Sequence, residues 1–211
     1  KFCTSVDIEK SQNNLDVEQR SKELRQIVRL AAGLPVSLTE PLSVNDLITE
    51  FRFHHALADT LRPAFQALTS RRVLYCGQCY YNPWYLSRAL RSIGWKADLY
   101  NWDTNVKAQI FYHGQDFQLG DNPSNSLEGI LDFYLNSLYN YDIIHFSNSN
   151  GITYGVLLDR AIQEKFGEFQ NIYLLKALGK KIVYSNNGCK DGVSQTSFAK
   201  WGPESVCSIC K

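Results

Sequence analysis

The chain has 211 residues, of which 44% are hydrophobic and 20% charged, and its formal net charge is +1. This length suits one α/β domain with an appendage, and the near-neutral charge argues against nucleic acid as a partner. No apolar run reaches the ~20 residues that cross a bilayer, and the N-terminus lacks the apolar core of a secretory signal. We therefore expect a cytoplasmic protein without a transmembrane segment, with peripheral membrane association left open.

The first 70 residues are predicted to be helical. Apolar positions recur at helical spacing from Asn14 onwards, and Gly33 supplies a C-terminal stop. Ser43 and Asp46 then form a capping-box pattern at the start of a second helix. We therefore expect residues 1–70 to be a helical N-terminal region, whose helices are a candidate surface for a protein partner.

Two further features belong to this region. Pro63 is expected to interrupt the second helix or to start a third segment, because proline cannot donate the helical hydrogen bond. His54 and His55 are adjacent, so they point to different faces of a helix. We therefore favour packing or exposure of the two histidines over shared metal ligation.

A strand–loop–helix–strand unit occupies residues 72–103. Residues 73–76 form a short apolar run rich in β-forming residues, which is typical of a strand buried on both faces. Pro83 suits the first turn of a helix, and Gly94 ends that helix before residues 96–100 resume an extended pattern. This order predicts the βαβ unit of a parallel sheet.

The same alternation continues to residue 184. The predicted elements are a hairpin or two short strands in residues 108–112 and 116–119, a helix over 126–138, a strand over 143–146, helices over 152–178 with a break near Gly167, and a strand over 181–184. We therefore predict an α/β fold: a Rossmann-like parallel sheet flanked by helices in residues 71–211, with residues 1–70 as a helical N-terminal extension.

Polar loops follow three of the predicted strands, at residues 78–82, 147–151 and 185–192. The carboxyl ends of parallel strands meet at one edge of a sheet, where open α/β folds bind ligands. The asparagine, serine, glutamine and glycine of these loops match the hydroxyls of a sugar better than a phosphate, and no G-x-G-x-x-G or G-x-x-x-x-G-K motif occurs. Turn formation alone would explain any single loop, but three loops at one edge indicate a shared site.

His145 is the main candidate for a chemical role. It lies near the carboxyl end of a predicted strand, between apolar neighbours. There it could hydrogen-bond a substrate hydroxyl or act as a base, or it could be a core histidine held by a backbone carbonyl. Asp191 could orient a hydroxyl or cap a turn.

Three segments within residues 72–192 are informative together. They read VLYCGQ…NPWYLSRALRSIGWKADLY, YDIIHFSNSNG and YLLKALGKKIVYSNNGCKDG. In this combination they resemble the N-terminal half of a GT-B glycosyltransferase, of the retaining, glycosyltransferase family 4-like group. The resemblance implies the acceptor-side domain of an enzyme that transfers a sugar from a nucleotide-sugar donor to a hydroxylated acceptor, either a glycan or a lipid-linked sugar.

The resemblance also implies how the chemistry is divided. A second, C-terminal domain binds the donor in that family, so we expect this chain alone to be catalytically incomplete. No cofactor is implied for the chemistry. Together with the polar loops, the resemblance makes His145 the candidate catalytic residue. The candidate substrate-binding residues are Gly77, Gln78, Tyr81, Asn82, Ser147, Asn148, Asn187, Gly188 and Asp191.

Two departures from the family pattern concern the loops. The first loop lacks the double glycine of many members, and Cys189 with Lys190 lengthens the spacing from glycine to aspartate. Two other functions also fit parts of the sequence. One is a non-catalytic α/β interaction module that docks a partner through its N-terminal helices and its cysteine-containing tail. The other is a flavodoxin-like nucleotide-binding domain, against which the absence of a phosphate loop counts.

The cysteines near the C-terminus suggest a structural zinc site. Cys207 and Cys210 form a C-x-x-C pair, and Cys189 lies upstream. A closed zinc site needs four ligands, so these three would supply part of a site that is completed from elsewhere. Free thiols explain the pair equally well. Cys76 and Cys79 form a second C-x-x-C, but Cys76 is a predicted core residue, so burial explains it better.

Overall fold

The structure, a computed structural model of the chain, describes residues 5–68, 70–76, 82–101, 114–118, 127–147 and 156–185, with residues 200, 202 and 203. The helices in these ranges are α1 (Ser5–Ala31), α2 (Val44–Ala56), α3 (Ala58–Ala67), α4 (Asn82–Ser92), α5 (Leu127–Asn140), α6 (Val156–Phe166) and α7 (Gln170–Ala177). The strands are β1 (Arg72–Cys76), β2 (Lys96–Asn101), β3 (Phe117–Gln118), β4 (Ile143–Ser147) and β5 (Lys181–Ser185). None of the described helices is both long and apolar enough to cross a membrane.

The strands form one sheet in the order β3-β2-β1-β4-β5, and every pairing is parallel. This arrangement confirms the predicted α/β fold with a Rossmann-like sheet. In β1, Tyr75 lies opposite Leu99 of β2 on one side and opposite His145 of β4 on the other. The chain runs outward through β2 and β3 and then returns past β1 to β4, so the winding direction reverses between β1 and β4.

The two faces of the sheet pack against different helices, because successive side chains of a strand point to opposite sides. One face packs against α2, α3, α5 and α7, through the strand residues Leu74, Cys76, Ile144 and Phe146. The other face packs beneath α4, through Val73, Tyr75, Ala97 and Leu99. β1 therefore has buried side chains on both faces, whereas β4 has them at Ile144 and Phe146 on the first face, and its Ile143 and His145 on the other face are only partly buried.

The N-terminal helices share the first of these core regions. Phe51 of α2 and Phe65 of α3 are buried together with the strand residues. Buried charges hold α1 in place: Arg25 donates to both carboxylate oxygens of Glu50, at 2.9 and 3.1 Å, and Arg29 adds a bond to Glu50 at 3.2 Å. The boundary between a helical region and a sheet domain stays a prediction, and the two parts pack in one core.

Two helix boundaries differ from the predicted ones. α1 begins at Ser5 rather than at Asn14, in a segment where Glu9, Lys10 and Gln12 favour a helix. The break after α2 falls at Leu57, and Pro63 lies inside α3. Proline therefore does not mark the boundary here: it removes one backbone hydrogen bond from α3, and the burial of Phe65 in the core offsets that loss.

Other local predictions are confirmed. Ser43 and Asp46 each accept a hydrogen bond from the other's backbone N–H, both at 3.2 Å. The break between α6 and α7 falls at Gly167, whose φ of +86° is a left-handed conformation that glycine adopts without strain. Residues 117–118 form a short strand parallel to β2, and the predicted strand at 108–112 lies outside the described residues.

Candidate functional site

The carboxyl edge of the sheet contains the point where the winding reverses. β1 ends there at Cys76, and β4, its neighbour in the sheet, ends at Ser147. α4, the next described element along the chain, begins at Asn82. In open α/β sheets the loops on either side of such a point diverge, and the crevice between them binds ligands. The predicted site residues on β4 and α4 therefore belong to the edge that this topology favours.

The residues that end the strands at this edge are uncharged. They are Cys76, Asn101, Gln118, Ser147 and Ser185. At the opposite, amino edge, β1, β2 and β5 begin with Arg72, Lys96 and Lys181. Amide and hydroxyl groups both donate and accept hydrogen bonds, whereas phosphate is usually bound by cationic groups. The strand ends at the carboxyl edge therefore suit a neutral, hydroxylated ligand better than a phosphorylated one.

His145 combines burial with an unmet hydrogen-bonding requirement. Its ring packs against Tyr75 of β1, with ring centroids 5.0 Å apart. Its Nε2 atom is buried and has no hydrogen-bond partner among the described residues. Burial lowers the pKa of the imidazole below its usual 6.5, so the ring is neutral at neutral pH. A partnerless buried nitrogen is uncommon in folded proteins and needs an explanation, such as a ligand that completes the site.

Although its Nε2 is buried, His145 as a whole is only partly buried, and it lies on the face of the sheet opposite to α2 and α3. Its neighbour Tyr75 belongs to the face covered by α4, whereas α2 and α3 pack on the other face. In β5, Val183 lies in register with His145 and is 42% exposed. The imidazole is therefore not sealed beneath the N-terminal helices, and the sheet surface beside it reaches solvent.

The other predicted substrate-binding residues divide into two groups. Asn82 is the first residue of α4 and is exposed, and Ser147 ends β4 opposite Ser185 of β5. The remaining residues lie outside the described residues: Gly77, Gln78, Tyr81, Asn148, Asn187, Gly188 and Asp191. Their roles stay predictions.

The cysteines divide in the same way. The predicted zinc ligands Cys189, Cys207 and Cys210 lie outside the described residues, so that site stays a prediction. Within the described ranges, no group of three or more His, Cys, Asp or Glu side chains could hold a metal ion. Cys76 is buried, and burial raises the pKa of its thiol well above the usual 9.0. The prediction of Cys76 as a core residue is therefore confirmed.

The histidine pair of α2 is structural, as predicted. His54 Nδ1 donates to the backbone carbonyl of Glu50 at 2.7 Å. Since a carbonyl only accepts, the other ring nitrogen of His54 must accept the hydrogen bond of the Tyr139 hydroxyl. Burial lowers the pKa of His54 to about 4, which keeps this acceptor unprotonated. His55 instead bonds the backbone carbonyl of Gln170, at 3.1 Å.

Two features were missed from the sequence. Tyr75 was predicted only as a strand residue, yet it supplies the ring against which His145 packs. These two residues meet because β1 and β4 are neighbours in the sheet, and no pattern of nearby residues in the sequence indicates this contact. Lys180 is buried, and its Nζ donates to the carbonyl of Tyr141 at 2.9 Å. The neighbouring Lys181 is exposed, and the residue types alone do not show which of the two lysines is buried.

Comparisons with protein-family models, with curated proteins and with solved structures found no match to this chain. The resemblance to GT-B glycosyltransferases therefore depends on the three sequence segments quoted above. The α/β fold depends on the strand order and the parallel pairings of the structure.

Proposed function

We propose that this chain is the acceptor-binding, Rossmann-like domain of a GT-B glycosyltransferase. It would bind a hydroxylated acceptor, a glycan or a lipid-linked sugar, at the carboxyl edge of the sheet. The observation that carries this proposal is the buried Nε2 of His145, which has no hydrogen-bond partner in the described part of the chain and lies two residues before the end of β4. A hydroxyl group of a bound sugar would supply the missing hydrogen-bond partner.

A neutral imidazole suits the acceptor side of a glycosyl transfer. The acceptor hydroxyl attacks the anomeric carbon of the donor sugar and must lose its proton. Desolvation lowers the pKa of His145, so a ring nitrogen is free to accept a hydrogen bond or a proton from that hydroxyl. Holding the hydroxyl in line with the donor would be the main contribution of this domain, because correct positioning removes much of the entropic barrier.

The uncharged strand ends support an acceptor rather than a nucleotide at this edge. None of the five residues that end the strands there carries a guanidinium or ammonium group. A diphosphate would need such cations or a glycine-rich loop. In this proposal the nucleotide-sugar donor is bound mainly by the second domain that the resemblance implies, and its phosphate is stabilised there as it departs.

Carbohydrate binding by the chain tests the proposal. Isothermal titration with neutral oligosaccharides should detect binding, whereas nucleoside diphosphates should bind weakly. His145→Phe keeps an aromatic ring against Tyr75 but removes Nε2, so we expect affinity for the bound glycan to fall by about tenfold or more. The matched control is His55→Phe on α2, which should bind the glycan as the unmodified chain does.

Three results would speak against the proposal. If His145→Phe bound glycans as tightly as the unmodified chain, the imidazole would not belong to the site. Tight binding of nucleoside diphosphates without binding of glycans would favour a nucleotide-binding domain. A protein partner held by the N-terminal helices, together with no carbohydrate ligand, would favour the interaction module.

A further inference from the structure

A cavity of about 310 Å³ opens at the amino edge of the sheet, opposite to the proposed acceptor site. Its walls are formed near the starts of β1, β4 and β5 and near the ends of α3 and α7. The apolar part of the wall consists of Phe65, Trp95, Ile143 and Leu178. Cavities of this size hold small molecules, and an apolar wall with a few polar groups is typical of such sites.

The polar groups around this cavity are mostly cationic. Arg71, Lys180 and Lys181 line it, and Asp142 is the acid among its described lining residues. The carboxylate of Asp142 is already neutralised, because Arg72 donates to it from Nη2 at 2.9 Å and from Nε at 3.4 Å. The cavity therefore keeps an excess of positive charge.

The backbone around Arg71 contributes to this arrangement. Arg71 has a φ of +52°, a left-handed conformation that is uncommon for a residue with a side chain. The backbone N–H groups on either side of it, of Ser70 and Arg72, both donate to one oxygen of Asp142, at 2.9 and 3.4 Å. The carboxylate of Asp142 thus accepts hydrogen bonds from the backbone as well, and it does not need Arg71 as a partner. Neither Arg71 nor Lys181 forms a salt bridge within the described part of the chain.

The nearby helix ends do not cancel this charge. α3 and α7 both end at this edge, and the carboxyl end of a helix carries a partial negative charge. However, Arg72 donates to the carbonyl of Leu68 at 2.9 Å, and Arg62 donates to the carbonyl of Ala177 at 2.7 Å. Because arginines already satisfy these carbonyls, Lys181 and Arg71 remain available to a ligand. The Nζ of Lys180 donates to the carbonyl of Tyr141 and has further N–H donors for a ligand.

We propose that this cavity binds a small organic anion, whose apolar body lies against the apolar wall and whose acidic group meets Arg71, Lys180 and Lys181. A carboxylate, a sulfonate and a phosphate all fit as the acidic group, because each accepts charge-assisted hydrogen bonds. Lys180 is held at the inner wall, 4.9 Å above the ring of Phe65. Burial lowers its pKa to about 7, and a neighbouring anion would favour its charged form.

The test compares two probes with the same apolar body, 2-naphthalenesulfonate and the uncharged 2-naphthalenemethanol, by isothermal titration against the full chain. The sulfonate is used because it stays ionised at every working pH. We expect the sulfonate to bind about tenfold more tightly than the alcohol, since charge-assisted hydrogen bonds are roughly twice as strong as neutral ones. Amide NMR shifts should locate the bound sulfonate at residues 142–143 and 178–181.

A pair of double variants separates a built site from general attraction. Arg71→Gly with Lys181→Gln removes two cations from exposed positions at the cavity, and glycine accepts the left-handed φ of residue 71. Lys165→Gln with Lys176→Gln removes the same charge from exposed positions of α6 and α7 that do not line the cavity. The first pair should lose about tenfold in sulfonate affinity, and the second should change it less than about twofold.

Several results would overturn the proposal. These are equal affinity for the sulfonate and the alcohol, equal losses in the two double variants, and sulfonate binding that the variant pair at Arg71 and Lys181 leaves intact. Amide shifts confined to the carboxyl edge would overturn it as well. Thermal unfolding of both double variants confirms that each one is folded when it is titrated.

Discussion

At the scale of single residues, the Nε2 atom of His145 that is proposed to bind the acceptor is also expected to lower the stability of the unliganded fold. This buried Nε2 has no hydrogen-bond partner within the ranges that the structure describes, so removing that nitrogen should not weaken the unliganded fold. We expect His145→Phe to leave the free energy of unfolding unchanged or to raise it by about 1 kcal/mol, while it removes glycan binding. Urea unfolding measures the first effect. A loss of stability comparable to that of a core truncation would instead assign the imidazole a structural role.

His54 should make the fold sensitive to acid. Its pKa is about 4 in the folded chain against a usual 6.5, so between these values the unfolded chain binds a proton that the folded chain does not. The free energy of unfolding should therefore fall as the pH drops from 6.5 to 4, approaching a total of about 3 kcal/mol. Urea titrations at a series of pH values measure this fall.

A neighbouring residue provides the control for this pH effect. His54→Gln should flatten the decline between pH 6.5 and pH 4, because it removes the titrating group. His55→Gln should leave most of the decline in place, since His55 is only partly buried. A decline of equal size in all three proteins would assign the acid sensitivity to other groups.

At the scale of elements, buried charges attach α1 together with apolar residues such as Val28, which is 1% exposed. Ile27 of α1 is 62% exposed, whereas Arg25 and Arg29 are buried and converge on Glu50, which is 0% exposed. Arg25 also donates to Asp132 of α5 at 3.0 Å. An intact buried cluster of this kind offsets its own desolvation, but the loss of one partner leaves charge uncompensated in the core.

Removing the central acid should therefore be costly. Glu50→Gln leaves the two guanidinium groups without their shared carboxylate, so we expect the free energy of unfolding to fall by about 3–5 kcal/mol. Glu18→Gln is the matched control in α1, where Glu18 pairs with Lys22 at 3.5 Å and both side chains are more than half exposed. That change should cost about 0.5 kcal/mol or less. Similar losses in both variants would show that the buried cluster does not attach α1.

At the scale of the whole molecule, the sheet presents two edges of different chemistry. The strand ends at the carboxyl edge are uncharged, whereas Arg71, Lys180 and Lys181 surround the cavity at the amino edge. A parallel sheet allows this separation, because every strand contributes its start to one edge and its end to the other. A neutral acceptor and an organic anion would therefore bind at opposite ends of the strands.

Binding at the two edges should be independent. We expect His145→Phe to leave 2-naphthalenesulfonate affinity unchanged, and the variant pair Arg71→Gly with Lys181→Gln to leave glycan affinity unchanged. Titration of each ligand against each variant checks this, and each variant serves as the control for the other site. Loss of both ligands in one variant would indicate partial unfolding or a single shared site.

Much of the architecture could be predicted from nearby residues. The apolar runs at 73–76, 143–146 and 181–184 are strands in the structure, and the Ser43 capping box begins α2. These signals act between residues close in the chain. The break at Leu57 could not be predicted in this way, because no glycine or proline marks it in the sequence.

The sequence by itself determined the alternation of strands and helices and the polar character of the carboxyl edge, because periodicity, caps and strand-end composition are local properties. Only the tertiary structure decided the strand order, the pairing of His145 with Tyr75, and the burial of Lys180 beside an exposed Lys181. Those features depend on residues that are distant in the chain and meet only when the sheet is assembled. Burial and hydrogen-bond satisfaction are set by such neighbours, so the chemistry of His145 and of the amino-edge cavity follows from the assembled fold.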